Sequence, residues 1–184
     1  MHKKIILVTG ASSGIGTQTA LTFAKQGHTV ILHGRDALKT ESIFKEIRQQ
    51  THNEHLAWFV ADLSLLSEVQ QFAIKIKEKY PKIDVLVNNA GGQFGFKRET
   101  TSEGHEKTMA INVLAPFLLT ALLMECLANS AAPRVVTVSS DSYRQGGKPR
   151  LDDIELQENY SLTRAYGLSK LYVFWVMRAF AKKY

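Results

Sequence analysis

Short apolar runs alternate along the chain with longer stretches in which apolar residues recur every three or four positions. Ile5 to Val8, Thr29 to His33, Leu56 to Ala61, Asp84 to Asn88 and Arg134 to Val138 are short, apolar and rich in β-branched residues, so each predicts a strand. The intervening segments carry helical periodicity. The first follows Gly16 and stops at Gly27, and the second ends near Gln50. The others run from about Leu65 to Tyr80, from about Glu103 to Asn129, and from about Thr163 to Lys182. Strands alternating with helices predict an α/β fold, a doubly wound parallel sheet covered on both faces. With no internal repeat and no low-complexity linker, residues 1–184 read as a single domain.

The first strand runs into Thr9-Gly10-Ala11-Ser12-Ser13-Gly14-Ile15-Gly16, and a helix follows. An apolar strand, a glycine-rich turn and a helix N-terminus together form a site for a phosphorylated nucleotide. Missing Cβ atoms at Gly10, Gly14 and Gly16 let the backbone turn sharply and the helix sit close to the strand. The spacing Gly-x-x-x-Gly-x-Gly differs from the commoner Gly-x-Gly-x-x-Gly.

Composition changes this picture little. Hydrophobic residues make up 45% and charged residues 22% of the 184, ordinary for a soluble globular protein. The formal net charge of +6 is spread along the chain, which speaks against a nucleic-acid surface and suits an anionic cofactor. One cysteine, Cys126, forms no intrachain disulfide and fits a reducing compartment. No apolar run approaches a membrane span and a strand begins almost at the N-terminus, so a cytoplasmic protein is expected. His52 and His55 have metal-like spacing without a third ligand, so no metal site is expected.

In a doubly wound sheet, ligands bind outside the carboxyl ends of the strands, which makes the residues ending each strand informative. Strand two ends in Gly34-Arg35-Asp36, where an NAD site would place an acidic residue. Arg35 instead offers a fork suited to a 2′-phosphate, or else it is a solvated arginine paired with Asp36. NADP is therefore expected over NAD. Strand three ends in Asp62-Leu63, either a helix cap or a seat for adenine. Strand four ends in Asn88-Asn89-Ala90-Gly91, which suits a turn or a close approach to a cofactor. Strand five ends in Ser139-Ser140. Tyr166 and Lys170, at i and i+4, share one face of the last helix. They are either a solvent-facing pair or a phenol whose pKa is lowered by an ammonium.

These pieces together resemble the short-chain dehydrogenase/reductase family. The matching segments are the Thr9 to Gly16 turn, Asp62-Leu63, Asn88 to Gly91, Asn112, Ser140 and Tyr166-x-x-x-Lys170, in the family's order. Gly104-His105-Glu106, Asn112 to Thr120 and Tyr166 to Leu171 are most similar to the branch of retinol dehydrogenases and related carbonyl reductases. The long insert between Ser140 and Tyr166 fits that branch too.

The resemblance implies a Rossmann fold and an NADP(H)-dependent oxidoreductase acting on a small carbonyl or alcohol substrate. Ser12, Ser13, Ile15, Arg35, Asp62, Leu63, Asn89, Ala90 and Gly91 would join the three glycines in the cofactor site. Tyr166 would exchange a proton with the substrate oxygen. Lys170 would lower the tyrosine pKa and hold the nicotinamide ribose, and Ser140 would orient the substrate oxygen. Asn112 would act through its backbone carbonyl. Pro116 cannot donate to that carbonyl four residues back, which predicts a kink there, with the Asn112 carbonyl free to accept from water or lysine.

Family members continue beyond the last helix with further strands, which this sequence lacks. It is therefore expected to be C-terminally incomplete, part of a longer polypeptide, with strand five as an unprotected edge. The alternative to an enzyme is a non-catalytic NADP-binding module or a shortened inactive form. Phe174, Trp175, Met177 and Phe180 are expected to pack internally, some against a partner in a possible homo-oligomer.

Overall fold

The structure is a computed structural model that describes residues 3–183. Its centre is a parallel sheet of five strands in the order β3-β2-β1-β4-β5. The strands are β1 (Ile5–Val8), β2 (Thr29–Gly34), β3 (Leu56–Val60), β4 (Val85–Asn88) and β5 (Arg134–Thr137). Helices α1 (Gly14–Lys25), α2 (Ala37–Thr51) and α3 (Leu66–Lys79) connect the first four. This is the expected α/β doubly wound sheet.

Alternation along each strand divides the core into two layers. Ile6 and Val8 of β1, with Val30 and Leu32 of β2, point to the side where α1 and α2 contribute Ala20, Ala24 and Ile47. Leu7, Ile31 and Leu86 point to the opposite side, onto Val69, Phe72 and Ile76 of α3. The sheet order reverses at β1: β2 lies on one side and β4 on the other. The crevice beside the carboxyl end of β1 is therefore where a ligand fits.

The segment expected as one helix from Glu103 to Asn129 is broken into pieces. α4 (Lys107–Met109) leads into a wide π-type turn at Ala110–Leu114, then α5 (Ala115–Leu122) and α6 (Met124–Ala128). Glu103 does not start the helix; its carboxylate accepts the Leu66 and Ser67 N–H groups at the start of α3. Glu106 caps α4 instead, accepting from Thr108 and Met109. At Pro116, where a kink is expected, the structure has the wide turn, in which the Ala115 N–H donates to the Ala110 carbonyl. Adding a residue to the turn accommodates a position that cannot donate four residues back.

The final helix, α7 (Leu162–Lys183), packs Leu168, Tyr172 and Val173 on Met109 and Val113. A 3₁₀ turn at Asp141–Gln145 follows β5. Among the described residues no helix is long and apolar enough to cross a membrane. His52 ends α2 in a left-handed conformation, and the His55 ring lies 3.2 Å from the Lys3 ammonium, so both have roles in the fold.

Candidate active site

A cleft of about 620 Å³ opens along the carboxyl ends of the strands. The β1 turn forms its floor, with Gly10, Ser12, Ser13, Gly14, Ile15 and Gly16 all on its surface. Gly10 has φ +64°, in the left-handed region. A Cβ at Gly16 would overlap the Gly10 carbonyl oxygen and stand 2.5 Å from Asn89 Nδ2. The glycine there is a steric requirement of the turn. Ser13 is the N-cap residue of α1, yet its side chain caps no amide. The first-turn N–H groups of α1 are thus uncapped by side chain at the cleft, where the helix dipole favours an anion.

The β4 turn locks onto the β1 turn. Thr9 Oγ1 accepts from the Asn89 and Ala90 amides, each at 3.0 Å. Asn89 Nδ2 donates to the Thr9 carbonyl at 2.9 Å and to the Gly10 carbonyl at 3.2 Å. Asn89, Ala90 and Gly91 all face the cleft, but the Asn89 amide group is committed to holding the two turns together.

Arg35 and Asp62 stand on the cleft wall. Arg35 is exposed and makes no ion pair among the described residues, while Asp36 caps α2 by accepting the Lys39 N–H at 2.9 Å. Asp62 does not cap α3. Its carboxylate accepts the Ser64 N–H at 2.9 Å and shapes the turn before that helix. Leu63 borders the cleft with most of its side chain in the core.

At the other end of the cleft, α7 presents Tyr166 and Lys170. Lys170 Nζ lies 5.6 Å from the centre of the Tyr166 ring and donates to the Val138 carbonyl at 3.1 Å. Lys170 is 5% exposed, and burial pushes its ammonium below the usual lysine range. The solvent-facing reading of this pair is thereby excluded for the lysine. Ser139 Oγ donates to the Lys170 carbonyl at 3.0 Å, tying the end of β5 to α7. Ser140 borders the cleft and also caps the 3₁₀ turn, accepting the Ser142 N–H at 3.2 Å.

Asn112 lies behind this surface and is buried. Its side chain accepts the Gly92 N–H at 2.9 Å and donates to the Gly92 carbonyl at 3.0 Å and to Ser169 Oγ at 2.9 Å. Ser169 in turn donates to the Tyr166 carbonyl at 2.8 Å. A Cβ on Gly91 would stand 2.8 Å from Asn112 Oδ1 and 3.2 Å from Lys170 Nζ, so the absence of a side chain there admits both groups. The sequence pointed to the Asn112 backbone; its side-chain links to the β4 loop and α7 were not legible.

Among the lining residues that the sequence did not point to are His33 and Phe94. His33 is a polar residue ending an apolar strand, a weak signal that was available. Phe94 sits in a loop, where pattern carries little. Its position is fixed by Tyr160, whose hydroxyl donates to the Phe94 carbonyl at 3.0 Å.

Comparison with known proteins identifies the family and the fold. The model of the short chain dehydrogenase family matches residues 4–150. A protein of Streptomyces sp. (strain C5) described as a daunorubicin C-13 ketoreductase is 41% identical over 170 residues, covering 91% of this chain and 56% of its own. Retinol dehydrogenase 13 of Homo sapiens is 40% identical over 169 residues, covering 91% of this chain and 50% of its own. The chain thus spans about half the length of these curated relatives. A short chain dehydrogenase of Shigella flexneri, crystallised with NADP, superposes with a TM-score of 0.80 at 34% identity, over 100% of this chain and 73% of that one. With the glycine turn, the locked β4 loop and the Tyr166–Lys170 face in one cleft, and the family model spanning most of the sequence, the chain belongs to the short-chain dehydrogenase family.

Proposed function

We propose that this chain binds NADP(H) and catalyses hydride transfer between its nicotinamide and a small carbonyl or alcohol substrate. One observation carries the reading: the glycine turn, Ser140, Tyr166 and Lys170 border a single cleft. The residues present fit the dinucleotide. The uncapped N-terminus of α1 suits a pyrophosphate, and the close approach at Gly10 and Gly16 leaves the turn bare of side chains. Arg35, exposed and without an ionic partner among the described residues, suits the 2′-phosphate. Bound NADP(H) supplies the hydride acceptor or donor.

The chain's own residues manage the oxygen and its proton. The Tyr166 hydroxyl gives a proton to the substrate oxygen during reduction and takes it back during oxidation. A cationic Lys170, buried beside the tyrosine ring, stabilises the phenolate that this exchange leaves. Ser140 donates a hydrogen bond to the same substrate oxygen and stabilises charge developing there. Asn112 and Ser169 hold the α7 backbone at Tyr166, fixing where that proton is delivered.

Tyr166→Phe tests the assignment. Turnover should fall by roughly 10²- to 10⁴-fold while NADPH titration stays close to that of the wild type. Unchanged turnover would remove the central claim. A second reading, a nucleotide-binding module without turnover, is favoured by the exposed faces of Val135 and Val136 on β5, the strand leading to Ser140. NADPH binding without activity across a panel of aldehydes and ketones would select it.

A further inference from the structure

His33 ends the apolar run of β2 among apolar neighbours, yet both of its ring nitrogens have partners. The residue is 2% exposed. Nδ1 accepts the Gly10 N–H at 3.3 Å, and Nε2 lies 3.1 Å from the Ala61 carbonyl oxygen. A backbone N–H can only donate and a carbonyl can only accept. The two contacts therefore require a neutral ring with its proton on Nε2. The His33 carbonyl also accepts the Ala11 N–H at 2.7 Å. One residue thus holds two successive amides of the nucleotide turn, and its ring reaches across to the end of β3. Phe72 of α3 closes on the ring, with centroids 4.8 Å apart.

We propose that His33 is a positioning residue for the cofactor site, a neutral Nε2–H imidazole that orients the Gly10–Ala11 backbone and so aims the turn at the dinucleotide. The reasoning rests on what Gly10 would do without it. Gly10 is in the left-handed region, and its N–H points into the protein towards the ring. Without an acceptor, a buried donor loses its water and gains nothing in return, so the turn would rotate to recover a partner. That rotation would carry along the Gly10 carbonyl, which Asn89 holds, and the contact with Gly16 that sets the start of α1. This inference rests on the NADP reading given above for its functional consequence, but the geometry of the latch is independent of it.

Protonation would break the latch, because a proton on Nδ1 opposes the Gly10 N–H. The charged group that acts on the ring is Asp62. Asp62 follows the accepting Ala61 just beyond β3, Glu68 of α3 accepts the Asp62 N–H, and Arg35 lies two residues on along the chain. The β1 turn offers the ring only backbone. Burial is the leading influence and outweighs the Ala61 carbonyl and Asp62, pulling the imidazole down to about 4. An unfolded histidine titrates near 6.5. Between those values the unfolded chain binds more protons than the folded one. The latch therefore contributes fully above the upper value, and its contribution is lost as pH falls towards the lower.

Two measurements test this. In ¹⁵N NMR of the ligand-free wild-type protein, His33 should show the Nε2–H tautomer and hold it down to about pH 5. A proton on Nδ1, or titration near the unfolded value, would overturn the proposal. NADPH titration at about pH 7.5 should give His33→Leu, which keeps apolar volume, at least about 10-fold weaker binding. His33→Asn, which returns an acceptor near the Nδ1 position, should recover most of that loss. Wild-type affinity in His33→Leu would overturn the proposal, as would failure of His33→Asn to restore it in a folded protein. Should His33→Leu not fold, the tautomer still decides. Absence of NADPH binding by the wild-type protein would instead overturn the proposed function.

Discussion

β3 and β5 are both edge strands of the same parallel sheet, and they are finished very differently. β3 pairs along its length with β2 and sends Trp58 to one core layer and Phe59 to the other. On β5, Val135 and Val136 are 40% and 49% exposed. The cleft spans ground built in these two ways. Its nucleotide end rests on β1, β2 and β3, backed by core on both faces. The end with Tyr166 and Lys170 hangs from β5 and from α7, where Phe174 and Trp175 are exposed. On the proposed function, cofactor binding and chemistry would depend on differently covered supports, and substitutions could separate them.

The largest effect is expected at the tightest point of the finished end. Gly16→Ala forces a methyl against the Gly10 carbonyl oxygen, a backbone atom with little room to give, and against the side-chain amide of Asn89. Overpacking of this kind costs about 3 kcal/mol, and NADPH binding should disappear with it. Gly14→Ala provides the contrast. Nothing lies within 4 Å of its Cβ position, although φ is +54°. Only the left-handed strain remains, about 1 kcal/mol. Thermal melts of the two variants should differ accordingly, and equal losses would show that strain, rather than close approach, governs the turn.

This pair also explains what the sequence made legible. The close approach at Gly16 and the left-handed Gly10 leave a mark in the residue type itself, so the turn, the strand before it and the helix after it could be read directly. Tyr166 and Lys170 were legible as a pair because helical spacing places them on one face. His33 and the side-chain links of Asn112 were not, because their work is done by side chains that reach across elements distant in sequence. The same is true of Glu103. Its neighbourhood looks like a helix start, yet it caps α3, 37 residues away. The break between α5 and α6 at Leu123 left no glycine or proline to announce it.

A smaller effect is expected on the covered edge. Phe59 is partly buried, with its ring centroid 6.0 Å from that of Phe72 and the Lys79 ammonium 5.8 Å above it. Removing a half-buried aromatic ring costs less than the full core penalty, so Phe59→Ala should destabilise by about 2 kcal/mol in urea unfolding. NADPH affinity should change little, since Phe59 does not border the cleft. A loss of binding larger than the loss of stability would mean that β3 communicates with the site through more than its pairing to β2.

The smallest effect belongs to β5, and it is the most direct test of the comparison. Val136→Ala removes two methyl groups from a side chain that is already half in solvent. With so little transfer energy and almost no cavity at stake, the cost should be within about 0.5 kcal/mol. Its β4 partner in the ladder, Val87, is 5% exposed and belongs to the core layer under α1. Val87→Ala should therefore cost severalfold more, although the two side chains belong to paired positions of adjacent strands. The comparison of the two unfolding midpoints at equal slope decides the matter. Similar losses would mean that Val136 is covered in solution, with the β5 face buried against another surface, and the contrast between the two edges would collapse.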